Sequence, residues 1–294
     1  MTTIALRDQL GAPFLELTKP RIVALVLVTI AAGYVMASPP GMPALGPLLH
    51  TLLGAGLVAG GTNALNQVLE RDVDALMRRT ARRPLPSGRL GAPAATVFAW
   101  SLGLAGVTHL ALAVNITTAS LAAATLVSYV FFYTPLKRRT PLATLVGAVP
   151  GALPIVGGWT AAGGALGAEA LVLFWILFLW QLPHFLALSW LYRDDYARAG
   201  LRMPSVGDAD GSRTFDQALL QSAALVPVSL APTLLGMSGV IYFAGAAGVS
   251  GWLLWTARRA ARLRTTAAAR KLFLVTLAYL PALLVLLLLD RTAP

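Results

Sequence analysis

Residues 272–289 read LFLVTLAYLPALLVLLLL, an 18-residue stretch without a charged side chain. An α-helix needs about 20 apolar residues to cross the hydrocarbon core of a bilayer, so this stretch predicts a transmembrane helix. Eight similar stretches precede it, at residues 21–38, 44–68, 94–113, 117–134, 142–162, 169–191, 216–236 and 238–256. The sequence therefore predicts an all-α, polytopic membrane protein with about nine transmembrane helices. No segment between them is long enough to fold separately, which predicts one membrane domain over residues 1–294.

The composition agrees with this interpretation. Hydrophobic residues make up 57% of the 294 positions and charged residues 12%, and the mean hydropathy is +0.71. Soluble domains carry about 25% charged residues, so these values favour a membrane protein. The chain contains no cysteine, which excludes disulfides, thiolate catalysis and cysteine-ligated metals.

The net charge of +11 is distributed according to the predicted spans. Basic residues cluster in every second connection, whereas the connections between them, around 39–43, 114–116, 163–168 and 237, have none. Because basic loops remain in the cytoplasm, this asymmetry predicts a cytoplasmic N-terminus and an external C-terminus. Topology and attraction to anionic headgroups explain the charge, and we expect no nucleic-acid partner. The first 20 residues contain no cleavable apolar region, which favours a bacterial inner membrane over import into an organelle.

The richest polar segment runs from Thr62 to Leu90, TNALNQVLERDVDALMRRTARRPLPSGRL. In a regular helix, Asn63 lies about 60° to one side of Asn66 and Glu70 about 40° to the other. Asp74 lies at about 80°, within about 20° of Asn63, because eleven residues make nearly three turns. One helical face would therefore present two amides and two carboxylates, hard oxygen ligands that suit Mg²⁺ bound to a diphosphate.

Two arginines follow within RTARRP. Arg79 and Arg83 are four residues apart and would form a clamp for a diphosphate as it departs. Pro84 and Pro86 are expected to end the helix. The alternative is that these arginines only set the topology and that the acids are their surface partners.

A second polar cluster lies in and after the sixth predicted span, WQLPHFLALSWLYRDDYARAGLRMP. Gln181 and His184 flank Pro183, and His184 lies about 13 Å inside the boundary marked by Arg193. An ionisable group at that depth is expected to face a cavity, where it could ligate haem iron, move a proton or bond a neighbouring carbonyl. On the next connection, Asp194, Asp195 and Tyr196 form the predicted second half of a metal–diphosphate site. In the connection after the fourth span, Lys137 and Arg138 are candidates for anion binding, or solvated topogenic residues.

In these segments the sequence resembles the UbiA-type superfamily of intramembrane prenyltransferases and, within it, the protohaem IX farnesyltransferases. Asn66, Glu70 and Asp74 match the superfamily's first motif, with Glu in one Asp position, and RTARRP and WQLPHF are typical of the haem branch. Two features depart from the superfamily pattern. Only the adjacent Asp194 and Asp195 remain of a second motif whose acids usually lie four apart, and Ala143 stands where asparagine is frequent. The resemblance extends over nearly the whole chain, through LTKPRI (17–22), YTPLKRRT (133–140), GAVPGALP (147–154) and RDDYARAGLRM (193–203).

The resemblance implies a helix bundle around a lipid-accessible cavity, capped by the motif loops at its cytoplasmic mouth. It implies farnesyl diphosphate and haem B as substrates, Mg²⁺ as cofactor, and Asn66, Glu70 and Asp74 as its ligands. Arg79 and Arg83 would hold the diphosphate, and His184 would serve haem. The expected protein partners are a downstream haem A synthase or terminal oxidase assembly factors.

Three alternatives remain open on the sequence. A sibling prenyltransferase for an aromatic or quinone precursor would share the first cluster but should lack the Pro183–His184 pair. A transporter would also have many spans, but its charges would more often lie at the midplane in inverted repeats. A non-catalytic haem-handling assembly protein would explain His184 but not the stripe of amides and acids.

Overall fold

The computed structural model describes residues 3–39, 41 and 43–292 of the chain. Within these residues nine helices are long and apolar enough to cross a membrane, as predicted. Three more helices are α1 (Thr3–Thr18), α4 (Arg71–Leu76) and α9 (Arg193–Arg198). The membrane-spanning helices are α2 (Pro20–Ala37), α3 (Leu45–Leu69), α5 (Ala92–Ala113), α6 (Ile116–Leu136), α7 (Ala143–Ala161), α8 (Ala168–Leu191), α10 (Ser212–Leu234), α11 (Val240–Leu263) and α12 (Thr266–Leu289).

The helix boundaries follow local chemistry. The α2 helix begins with Pro20 at its first position, where a missing N–H has no helical partner to lose. The Asn115 and Thr265 side chains cap α6 and α12 by accepting backbone N–H bonds from Thr118 and Ala268. The α11 helix runs to Leu263, beyond the predicted residue 256, because the sequence TARRAARL continues to favour helix past the apolar part.

One predicted element is wrong in detail. The sequence interpretation assumes one regular helix from Asn63 to Asp74, but α3 ends at Leu69 and the short α4 begins at Arg71. Glu70 forms the junction with φ −98° and ψ 9°, outside helical geometry. Residues beyond Leu76 form turns, so the helix ends before Pro84 and Pro86 and not at them.

The bundle has two packed halves. One buried apolar cluster joins α3, α5 and α6, and a larger one joins α2, α7, α8, α10, α11 and α12. The α2 and α7 helices approach most closely at Gly33 and Gly158, where a Cβ atom on either residue would collide with a carbonyl of the facing helix. Such small-residue contacts let transmembrane helices pack backbone to backbone.

Between the two halves lies a cavity of about 680 Å³. Its lining comes from both halves, for example Val58 and Leu110 on one side and Leu177 and Leu280 on the other. Several side chains of α2 and α12 that line the cavity are also exposed, including Leu25 (63%) and Val285 (53%). The cavity is therefore not closed along these helices, an opening that suits the lipid access implied by the resemblance.

The connections 70–91, 137–142, 192–211 and 264–265 join the spanning helices at one end of the bundle, which we call the basic end. The two connections that contain the predicted acidic motifs pack against each other there, because Val73 and Met77 of the first contact Tyr196 and Leu201 of the second. The fold thus brings both predicted acidic motifs together at the basic end of the bundle.

Candidate active site

The first polar cluster is built around Asn66, near the end of α3. Its amide nitrogen donates to Glu70 Oε2 at 2.9 Å and to Thr134 Oγ1 at 3.2 Å. Its Oδ1 accepts from Lys19 Nζ at 3.5 Å. The backbone N–H of Glu70 also donates to Asn66 O at 3.0 Å, so the two side chains meet at the four-residue spacing predicted from the sequence.

Two ion pairs hold the carboxylates of this cluster. Glu70 Oε1 lies 2.6 Å from Lys137 Nζ, and Asp74 Oδ2 lies 2.6 Å from Arg83 Nη1. The Asp74 side chain is almost fully buried, and its second oxygen, Oδ1, has no hydrogen-bond partner among the described residues. A buried carboxylate oxygen without a partner is costly in an ordinary ion pair and marks a position where a cation or a donor is needed.

Burial and neighbouring charges shift the pKa values of the ionisable groups in this cluster. Burial acts to raise the pKa of Glu70, but the Lys137 ammonium and the hydrogen bonds from Lys137 and Asn66 outweigh it and hold that pKa below its usual range. For Asp74, burial prevails over Arg83 and raises the pKa of the carboxyl group. Burial would lower the pKa of Lys137, but Glu70 raises it, so the Lys137–Glu70 pair is ionised.

The other predicted site residues of this cluster lie apart from Asn66 and Glu70. The Asn63 amide donates to Thr18 O at 3.2 Å and lines the cavity one turn below Asn66. The break at Glu70 removes the regular helix on which Asn63 and Asp74 were predicted to share one face. Arg79 and Arg83 do not share a helical face, because the backbone beyond Leu76 forms turns. Arg83 pairs with Asp74, whereas the guanidinium of Arg79 lies 5.0 Å from the ring centroid of Tyr192.

The second acidic motif is less closely joined to the first. The Asp194 side chain is 90% exposed and lies 3.6 Å from Arg193, and Asp195 pairs with Arg198 at 2.8 Å. Tyr196 is buried against Val73 and Met77. Arg138 is exposed, in contrast to its buried neighbour Lys137. Within the described part of the chain, no three His, Asp or Glu side chains are gathered closely enough to hold a metal by themselves.

His184 lines the cavity in α8, where its ring stacks on Phe273 (4.7 Å between centroids) and on Trp180 (5.5 Å). Its Nδ1 lies 2.9 Å from Thr276 Oγ1. The Thr276 hydroxyl hydrogen is donated to Phe273 O at 2.6 Å, so Oγ1 accepts a hydrogen bond from His184 Nδ1–H. The imidazole is therefore assigned as the Nδ1–H tautomer, which leaves the lone pair on Nε2.

Gln181, one turn before His184, also lines the cavity. Its amide nitrogen donates to Leu177 O at 2.9 Å and to Ala148 O at 3.4 Å. The side chain is held against Gly151, where a Cβ atom would collide with the Gln181 amide oxygen. A glycine in the GAVPGALP segment thus makes room for a polar group of the second cluster.

Sequence reasoning did not identify several polar residues of the site. Tyr129, Tyr133 and Thr134 lie in or directly after a π-helical turn, Ser128–Tyr133, a feature that is frequent at functional sites. Tyr133 precedes Lys137 by four residues, and its ring centroid lies 4.6 Å from the Lys137 ammonium.

Lys19 also lies among the charged groups, and burial together with Arg83 and Lys137 lowers the pKa of Lys19 to about 7. In the sequence, the feature that could have identified Lys19 as a site residue is its position directly before the first span.

Comparison with known proteins identifies the family of the chain. The sequence pattern of the UbiA prenyltransferase family matches residues 26–282. A protoheme IX farnesyltransferase of Solibacter usitatus is 49% identical over 286 residues, which cover 95% of this chain and 98% of that relative.

Two solved structures share the fold. A digeranylgeranylglyceryl phosphate synthase superposes with a TM-score of 0.81 at 16% identity, over 96% of this chain and 98% of that one. A UbiA homologue from Archaeoglobus fulgidus, bound to GPP and Mg²⁺, superposes with a TM-score of 0.66 at 15% identity, over 94% and 99% of the two chains. From its sequence, the chain belongs to the UbiA prenyltransferase family, and relatives that are 44% and 49% identical to it are protoheme IX farnesyltransferases.

Proposed function

We propose that the protein transfers a farnesyl group from farnesyl diphosphate to a vinyl group of protohaem IX (haem B), giving haem O. One arrangement carries this proposal: a cluster of amides, carboxylates and cations lies at the end of an apolar cavity that contains a histidine. The first part suits a diphosphate, the cavity suits a prenyl chain, and the imidazole suits a haem. A relative that is 49% identical over nearly its full length has this activity as its name.

The residues of the first cluster fit a magnesium ion. Asp74 Oδ1 is buried without a partner among the described residues, and the hydrogen-bonded pair Asn66–Glu70 supplies further oxygen atoms within the same cluster. We propose that Asn66, Glu70 and Asp74 hold Mg²⁺ and that Asp194 and Asp195 add ligands from the second connection after leaving their present arginine partners. When bound, Mg²⁺ neutralises charge on a diphosphate and makes it a better leaving group. The structure of a UbiA homologue with GPP and Mg²⁺ supports this assignment.

The cations of the site would bind the diphosphate. Lys137 and Arg83 now neutralise Glu70 and Asp74. If those carboxylates held a metal ion, both cations would be free to bind phosphate oxygens, where a guanidinium can make two parallel hydrogen bonds. Arg79 and Arg138 lie further out and would guide the substrate to the mouth.

The cavity directs the reaction. The bond between C1 of the farnesyl group and the diphosphate oxygen breaks, and the diphosphate leaves with the electron pair. The terminal vinyl carbon of haem B forms a bond to C1, water adds its oxygen to the other vinyl carbon, and one proton is lost. Because the wall of the cavity is mostly apolar, it keeps water away from the allylic cation until haem has reacted.

His184 is placed to serve haem. Its Nε2 lone pair is available to ligate iron or accept a proton, and Thr276 fixes the tautomer through Nδ1–H. Metal-ligating histidines commonly donate their other N–H in this way. Trp180 Nε1–H donates to Thr276 O at 2.7 Å, so the stacked indole and the histidine are held by the same residue of α12.

A comparison of substrates tests the proposed activity. Purified protein with Mg²⁺ should prenylate haem B, with farnesyl diphosphate used more efficiently than shorter or longer isoprenyl diphosphates, as resolved by chromatography. An aromatic acid offered in place of haem should stay unmodified. Prenylation of the aromatic acid but not of haem B would instead assign the protein to the sibling prenyltransferases.

The location of the protein is also a proposal. We propose a multi-pass protein of the bacterial inner membrane that supplies haem O to a haem A synthase or to terminal oxidase assembly. Reporter fusions are expected to place 70–93, 135–141, 193–215 and 257–271 in the cytoplasm and the C-terminus outside, because of the positive-inside rule. A C-terminal reporter that is active in the cytoplasm would contradict the orientation.

A further inference from the structure

Lys19 occupies an unusual backbone position. It joins α1 to α2 in the left-handed conformation, with φ 53° and ψ 65°, directly before Pro20. Non-glycine residues adopt this conformation rarely, and it persists where surrounding contacts impose it. Those contacts come from α3: Gln67 Nε2 donates to Leu17 O at 2.8 Å, and Asn63 Nδ2 donates to Thr18 O at 3.2 Å. The helix that contributes Asn66 therefore also fixes the turn at Lys19.

The turn places the Lys19 ammonium inside the polar cluster. Nζ lies 3.5 Å from Asn66 Oδ1, and Lys19 also lines the cavity. The side chain thus lies where the apolar chamber meets the charged groups. A prenyl diphosphate with its chain in the cavity would place its phosphates at this junction.

The charges of the cluster are not balanced. Lys137 and Arg83 each pair with a carboxylate at 2.6 Å, whereas no described carboxylate lies within ion-pairing distance of Lys19. Three basic side chains therefore face two carboxylates. A prenyl diphosphate with one bound Mg²⁺ still carries net negative charge, so the surplus ammonium is complementary to that complex.

We propose that Lys19 is a binding residue for the diphosphate of the prenyl substrate, held for that purpose by the left-handed turn between α1 and α2. The inference rests on the proposed function. It adds a ligand contact from the N-terminal segment to a site otherwise built from α3, α4 and the connection after α6. It also explains why a lysine occupies a backbone position that suits glycine.

The experiment compares Lys19→Met, Lys19→Gly and Lys19→Arg with the wild type in detergent with Mg²⁺. Glycine removes the ammonium while keeping the left-handed turn without strain, so this variant should fold even if the methionine variant does not. The Met and Gly variants should raise KM for farnesyl diphosphate and Ki for inorganic diphosphate about tenfold or more, and Lys19→Arg should recover most of the loss. Haem affinity, read from the Soret band, should stay unchanged. Arg21→Met, an exposed neighbour with the same change of charge, is the matched control.

Three results would overturn the inference. Unchanged KM and Ki in the Gly variant would show that the ammonium does not bind the diphosphate. Equal losses in the Arg and Met variants, with the Gly variant unaffected, would show that the residue only forms the turn. Weakened haem binding with normal Ki would place the charge at haem carboxylates. Wild-type protein that binds diphosphate through Lys19 but does not modify haem would refute the proposed activity and leave this inference intact.

Discussion

Replacing Asp74 by asparagine is expected to lower kcat about 100- to 1,000-fold while the protein remains inserted and folded. The Asp74 side chain is buried, with Oδ2 at 2.6 Å from Arg83 and Oδ1 without a described partner. An amide cannot supply the negative charge that a magnesium ligand needs, and it leaves Arg83 without its carboxylate. Glu70→Gln should behave similarly, because Glu70 connects Asn66 to Lys137.

The measurement is the initial rate of haem farnesylation, with thermal unfolding in detergent as the check on folding. Asp72→Asn is the matched control, because Asp72 lies two residues away with a side chain that is 81% exposed. It should retain nearly full activity, and a chelator should abolish the activity of the wild type. Near-normal rates in both Asp74→Asn and Glu70→Gln would mean that these acids form only a polar helix end and do not bind the metal ion.

Replacing His184 by alanine is expected to lower haem farnesylation about 100-fold or more while leaving diphosphate binding largely intact. His184 lies in the cavity wall and stacks on Trp180 and Phe273, away from the ion pairs of the first cluster. Its loss removes the Nε2 lone pair proposed to serve haem. The cluster around Asn66 is unchanged by the substitution.

The Soret band on haem titration and the Ki of inorganic diphosphate separate these effects. Thr276→Val removes the acceptor for Nδ1–H but keeps the imidazole, so it should produce a smaller loss of the same kind. Normal haem binding with lost diphosphate binding in His184→Ala would show that the histidine supports the first cluster instead. Full activity of the His184→Ala variant would show that this histidine has only a structural role.

The fold was predictable because membrane insertion depends on local hydropathy. Each span is an apolar stretch that must satisfy its backbone hydrogen bonds internally, so nine stretches give nine helices. The ends were less predictable, since helix propensity extends α11 to Leu263, beyond the apolar part. The short α1 helix lacks the long uncharged stretch that marks a span.

The site was predictable only in part. Asn66 and Glu70 are four residues apart and do meet, through a side-chain hydrogen bond. The break at Glu70 was not predictable from helical spacing, because tertiary contacts impose it: Lys137, 67 positions along the chain, holds the carboxylate. Lys137 resembled its exposed neighbour Arg138 in the sequence, and only packing separates the two.

The central claim is that the cavity joins a farnesyl cation to haem and admits water only afterwards. The most direct measurement is the mass of the haem product formed from haem B and farnesyl diphosphate in ¹⁸O-labelled water. We predict a product that has gained one farnesyl group and one hydroxyl group, with a single labelled oxygen, and no mass change when the diphosphate is omitted. Unmodified haem, with farnesol as the labelled product, would contradict the account, because the cation would then have reacted with water alone.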